Sequence, residues 1–180
     1  MTVVHTIGHS THPIDEFIGL LEAHGIELLV DVRTVAGSRR NPQFNAESLG
    51  RSLRAAGIEY RRMAELGGLR RTVEDSVNDG WRNASFRGYA DYMQTPAFAE
   101  GIDRLIEAAA EQTVAIMCAE AVPWRCHRSL IGDALLIRGV EVRDIMSVRS
   151  SPEHRLTTFA RVEGMSLTYP ADPSLELPEG

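Results

Sequence analysis

The stretch that most restricts what this chain can become runs from Val114 to Gly139, VAIMCAEAVPWRCHRSLIGDALLIRG. Val114 to Met117 is a continuous apolar run, long enough for a buried strand and too short for a helix of its own. From Leu130 onward, Ile131, Ala134, Leu135 and Ile137 recur at helical spacing until Gly139 ends the pattern. A strand that hands over to a helix is the building unit of α/β domains, whose ligands bind at the carboxyl ends of the strands. This handover is chemically crowded: Cys118, Glu120, Arg125, Cys126, His127 and Arg128 fall within eleven positions.

The same alternation runs upstream. Val3 to Ile7 reads as a first strand, Gly8-His9-Ser10 opens a turn, and a helix starting near Pro13 carries Phe17, Ile18, Leu20 and Leu21 as its apolar stripe before His24-Gly25 closes it. Ile26 to Arg33 is nearly continuous in apolar character, which a strand covered on both faces requires, and it is expected at the centre of the sheet. Thr34 to Asn45 reads as a loop, Ala46 to Ala56 as a helix, and Ile58 to Met63 as a third strand ending at Leu66-Gly67-Gly68. Arg70 to Ser85 has no periodicity and is either a lid over the site or disordered. Phe86 to Met93 and Pro96 to Ala110 are predicted helices, Val140 to Val148 a fifth strand, and Ser151 to Ala160 a short helix. The order predicts an α/β fold: a three-layer, mostly parallel sheet of about five strands with helices on both faces. One domain is expected over residues 1–165, followed by an acidic, proline-containing, mobile tail over 166–180.

At 180 residues the chain suits a single core. No apolar run reaches membrane-spanning length and the N-terminus lacks the layout of a signal peptide, so a cytoplasmic protein without membrane partners is expected, with its two cysteines present as thiols. A net charge of −6 argues against a generally basic surface that coats nucleic acid. The basic residues are instead local. There is no lysine, and arginines come in pairs, at Arg39 and Arg40, Arg61 and Arg62, Arg70 and Arg71. A guanidinium grips phosphate or carboxylate at two points, as an ammonium does not.

Three chemistries fit the predicted sheet edge. In the first, Cys126 starts a helix beside Arg125, His127 and Arg128, an environment that lowers a thiol pKa, while Cys118 at the strand end is either a second candidate nucleophile or a buried core residue. Cys118 and Arg125 have six residues between them and no intervening glycine, which departs from the phosphatase and rhodanese arrangement. The second is a metal-dependent hydrolase using His9, Cys118, Glu120, Cys126 or His127, although the cysteine spacing matches no zinc pattern. In the third, Asp31, Glu120 and His9 move protons while Arg33, Ser38, Arg39, Arg128 and Ser10 hold an anion. Asp31 either pairs with Arg33 or serves in the cleft, and both readings stay open. A serine-hydrolase elbow, a Walker loop and a dinucleotide fingerprint are all missing.

Several fragments together resemble the DUF488 family: Thr6-Ile7-Gly8-His9-Ser10, Asp31-Val32-Arg33, Ser38-Arg39 with Phe44-Asn45, Leu66-Gly67-Gly68, Phe86-Arg87-Gly88-Tyr89-Ala90, and Cys118-x-Glu120 followed by Cys126-His127-Arg128. The resemblance implies that these strand ends form a site, and it implies no particular activity or cofactor. Ala36 stands where family members commonly have proline, and Asp144 where many have histidine. The expected function is an enzyme acting on a phosphorylated or nucleotide-like anionic small molecule, with a reactive thiol. A non-catalytic nucleic-acid-binding or DNA-repair accessory protein is the alternative.

Overall fold

A computed structural model describes residues 2–171. Five parallel strands form the main sheet: β1 (Val3–Gly8), β2 (Leu28–Asp31), β3 (Glu59–Arg62), β4 (Val114–Cys118) and β5 (Glu141–Asp144), in the order β3-β2-β4-β1-β5. The helices are α1 (Ile14–Ala23), α2 (Ala46–Ala55), α3 (Ala84–Tyr92), α4 (Pro96–Glu111) and α5 (Arg128–Leu136). Side-chain alternation along each strand divides the core into two layers. Ile7, Leu29, Ala115 and Met117 pack against Phe17, Leu20 and Leu21 of α1 and Leu49 and Leu53 of α2. Val4, Leu28, Val30, Val114, Ile116 and Cys118 face the opposite way, toward α3, α4 and α5. These side chains are buried, and each valine, leucine, isoleucine, methionine or phenylalanine among them contributes about 1.5–3 kcal/mol relative to exposure. The three-layer arrangement is therefore as the sequence predicts.

The strand order corrects one expectation. β4, not β2, occupies the middle of the sheet, and β2 lies between β4 and the edge strand β3. Both are buried along their full length, so an apolar run marks an interior strand without saying which one. The chain moves outward through β1, β2 and β3, returns to insert β4 beside β1, and then continues to β5 on the other edge. Loops after β1 and β4 thus lead to opposite faces, α1 on one and α5 on the other, which makes their carboxyl ends the topological switch point where α/β sheets bind ligands.

Two further corrections concern the C-terminal part. Ser151 to Ala160 forms no helix; it runs as an extended strap whose Glu153 bridges Arg143, because His154 is drawn to carboxylates in the core. The strap leads to an antiparallel hairpin, β6 (Arg161–Glu163) and β7 (Ser166–Thr168), with Leu167 and Tyr169 buried. The domain therefore runs past residue 165, and the part of the expected tail from 172 onward lies outside the described residues. Between β3 and α3 the unpatterned excursion is tied down by Asp91, whose carboxylate accepts bonds from Val73 N, Ser76 Oγ and Asn78 Nδ2.

Candidate functional site

At the switch point the turns after β1 and β4 touch. His9 N donates to the Cys118 carbonyl at 2.9 Å and Ser10 N to the Ala119 carbonyl at 3.0 Å. Gly8 makes this approach feasible: a Cβ there would lie 1.7 Å from the Glu120 carbonyl oxygen. That closeness folds the Cys118–Glu120 turn back across the sheet edge, and a short 3-10 turn, Pro123–Arg125, then delivers Cys126 to the start of α5.

Cys126 Sγ lies 2.6 Å from Cys118 Sγ, 3.5 Å from His127 Nδ1 and 3.5 Å from the Arg128 amide, which donates to it. The other ring nitrogen of His127 donates to the Val32 carbonyl at 2.9 Å, so Nδ1 is the atom free to exchange a proton with sulfur. Gly68 lines the same ring, since a Cβ on it would sit 3.1 Å from His127 Nδ1. Tyr89 packs on it from the α3 side, ring centroids 5.0 Å apart. The environment separates the two thiols. Cys126 is driven well below the ordinary thiol range, first by the bond from Cys118 and then, against the opposing effect of burial, by His127 and the charge of Arg128. Cys118 is pushed well up by burial and by the neighbouring sulfur. One thiolate and one thiol is the favoured state, with Cys118 as donor.

Arg128 supplies the positive side of this pair. Its side chain is 1% exposed, its Nη1 donates to Thr6 Oγ1 at 3.2 Å and its Nη2 to the Glu120 carbonyl at 2.9 Å. No carboxylate lies within ion-pair distance of it among the described residues, and its Nε is buried without a hydrogen-bond partner. Thr6 passes the contact on by donating to Asp144 Oδ1 at 2.5 Å. A buried cation without a direct counter-ion is costly, and a thiolate at Cys126 offsets part of that cost.

His9, Asp31 and Arg33 form a second cluster on the α1/α2 face. Asp31 accepts from Arg33 Nε at 2.9 Å, Arg33 Nη2 at 2.7 Å, the Arg33 amide at 3.0 Å and Tyr60 Oη at 2.5 Å. Of the two readings of Asp31, the geometry is that of the ion pair. Burial opposes the charge of Arg33, but the bond to Asp31 overrides it and its pKa stands above the ordinary value. His9 stacks on Phe44 at 4.3 Å; its Nδ1 donates to the Ser10 carbonyl and its Nε2 faces Arg33 Nη1 at 3.5 Å. Burial and Arg33 lower its pKa although the Ser10 bond opposes them, so His9 is neutral.

The single hollow expected from the sequence is thus two polar clusters, on opposite faces of one sheet edge, joined through main-chain bonds at Val32 and Cys118. Cys118, Cys126, His127 and Arg128 meet side chain to side chain. Glu120 joins them by its carbonyl, and its side chain points to solvent. Ser10 stands at a positive φ of 47° in the turn, Ser38 is tied to Asn45 and Asn41, and Arg39 is exposed. Thr6 and Gly68, which the motifs contain without a chemical role assigned to either side chain, border the cysteine cluster. The signal for Thr6 was present, as a polar residue at an inward position of a buried strand. Among the described residues no three of His, Cys, Asp and Glu gather as metal ligands. Two surface hollows, of about 340 and 380 Å³, lie elsewhere, one beside α2 and β3 and one at the amino ends of β1 and β4.

No curated protein and no solved structure matches the chain. The profile of the family described as "Domain of unknown function DUF488" matches residues 13–135, from the start of α1 through the cysteine turn into α5. A match over well more than half of the sequence settles the relationship: the chain belongs to the DUF488 family.

Proposed function

We propose that the chain is an enzyme that uses the Cys126 thiolate as a nucleophile on a phosphate-bearing or nucleotide-like anionic substrate. The observation that carries this reading is the position of Cys126 Sγ, held at the start of α5 by the Arg128 amide, His127 Nδ1 and Cys118 Sγ. A lowered thiol pKa in an electropositive setting is what a nucleophilic cysteine needs. In the step envisaged, sulfur forms a bond to the electrophilic atom and the leaving group departs with a proton from His127 Nδ1. Water then releases the product and restores the thiolate. Arg33 and Arg128 are already bonded to protein atoms, so the substrate's charge falls to exposed cations on the loops after β2 and β4, Arg39, Arg40 and Arg125. Trp124, 66% exposed and two residues before Cys126, offers a flat face on which a base can stack. A reducing, cytoplasmic setting keeps both thiols available.

The test is to incubate the protein with phosphorylated nucleosides and phosphate esters and to measure intact mass and turnover. A covalent adduct at Cys126, absent in Cys126→Ser and retained in Glu120→Gln, is expected. Turnover that survives Cys126→Ser unchanged would reject the thiol mechanism. Binding of oligonucleotides without turnover, falling steeply between low and moderate salt, would favour the non-catalytic nucleic-acid reading instead.

A further inference from the structure

The two thiols support an activity of their own, independent of the substrate class above. We propose that Cys126 and Cys118 act as a two-electron redox couple that reduces a small hydroperoxide and closes to an intramolecular disulfide. The geometry that carries this is the contact itself. Sulfur meets sulfur at 2.6 Å, although the residues come from different elements, one ending β4 and one preceding α5. These are the only cysteines in the chain, both are free thiols, and they are 3% and 5% exposed. So deep a pair keeps the cysteine of a second protein off either sulfur, while a small oxidant or a small thiol needs only a local opening to reach it. Pairing between molecules is obstructed for the same reason.

The surroundings suit the chemistry. Arg128 is a dry cation whose Nε has no hydrogen-bond partner among the described residues, and its amide is on the Cys126 sulfur, so the charge that develops on a departing oxygen is met by fixed positive groups. In the first step the Cys126 sulfur attacks one oxygen of the hydroperoxide. The S–O bond forms, the O–O bond breaks, and the departing oxygen takes a proton from His127 Nδ1 to leave as water or alcohol. Sulfur is oxidised by two electrons to a sulfenic acid, and the peroxide is reduced by the same two. In the second step the Cys118 sulfur attacks the Cys126 sulfur. The S–S bond forms, the S–O bond breaks, and hydroxide leaves as water with the proton of Cys118. A small dithiol returns the pair to its reduced state by exchange.

The experiment treats reduced full-length protein with one equivalent of hydrogen peroxide, blocks free thiols with iodoacetamide and reads intact mass and a non-reducing peptide map. Loss of two hydrogens, no alkylation and a single cross-link between the Cys118 and Cys126 peptides are expected, all reversed by dithiothreitol. Continuous peroxide consumption with dithiothreitol present is expected as well. Cys118→Ser should halt at a sulfenic acid that dimedone captures, and Cys126→Ser should show neither species. The proposal is overturned if wild-type protein keeps two alkylatable thiols, if the cross-link joins two molecules, or if Cys126 goes to the sulfinic acid with no disulfide. Because wild-type mass is the primary readout, a variant that fails to fold leaves the test intact. Failure of the anionic-substrate reading would not affect it either.

Discussion

The neighbours of Cys126 favour its thiolate, so the pH dependence of its alkylation should betray them. An ordinary thiol, with a pKa near ~8.5, loses about tenfold in alkylation rate for each unit of pH below that value. Since Cys126 is shifted downward, its rate with iodoacetamide is expected to stay flat over the range in which a free thiol falls away. Cys118→Ala removes the first contributor to that shift, and the flat range should then retreat to higher pH. A profile unchanged by Cys118→Ala would mean that His127 and Arg128 suffice. Asp31 invites the opposite experiment. It is fully buried and completely satisfied by Arg33 and Tyr60, so Asp31→Ala should cost roughly 3–5 kcal/mol in urea unfolding by stranding a buried cation, and a paired Asp31→Leu, Arg33→Met replacement should recover much of that. From sequence alone, an aspartate two residues before an arginine at a strand end suits pairing and catalysis equally. Only the direction in which the strand turns each side chain separates them, and that is not a local property.

Between elements, the site depends on two glycines that let backbone and ring come close. Gly8→Ala would drive a methyl into the Glu120 carbonyl, and a strand end and a turn cannot both yield; a loss of several kcal/mol, or no soluble protein, is expected in denaturant titration. For Gly68→Ala the nearest atom is His127 Nδ1 at 3.1 Å, on a side chain that can give by a few tenths of an ångström where backbone cannot. Unfolding should therefore change little while the alkylation profile of Cys126 shifts upward, a separation of site geometry from stability. The elements themselves were legible, because β2 and β4 are short continuous apolar runs and α1, α2, α4 and α5 repeat their apolar residues at helical spacing, with glycine or proline beside several of their ends. The strap after β5 was not. Its extended course is imposed by His154, which reaches Asp133 at 2.8 Å and lies 3.8 Å from Asp144, two partners supplied by other parts of the fold. Local propensity in Ser151 to Ala160 was overruled by a tertiary bond.

For the molecule as a whole, Asp133 is the peg that holds the C-terminal part to the body. It is fully buried and accepts from His154 Nε2, the Thr157 amide and Tyr169 Oη. Asp133→Ala orphans all three donors at once. It should lower the urea midpoint markedly, by about 3 kcal/mol or more, and open the strap and hairpin to proteolysis before the sheet unfolds. Protection of the strap equal to that of the sheet in such a variant would show that apolar packing of Leu167 and Tyr169 is enough. The sheet order carries a different consequence, for the chain while it is being made. β1 lies between β4 and β5, the last two strands of the main sheet to be made, so it leaves the ribosome before either of its neighbours exists. Until Cys118 emerges, only β2 and β3 of the main sheet can pair, and the turn after β1 has no β4 to close upon. The thiol environment therefore forms only after β4 and the start of α5 have been made, and the sheet is completed later still, by β5. A chain stalled before α5 would present a loose pair of unactivated cysteines to whatever oxidant the cell contains.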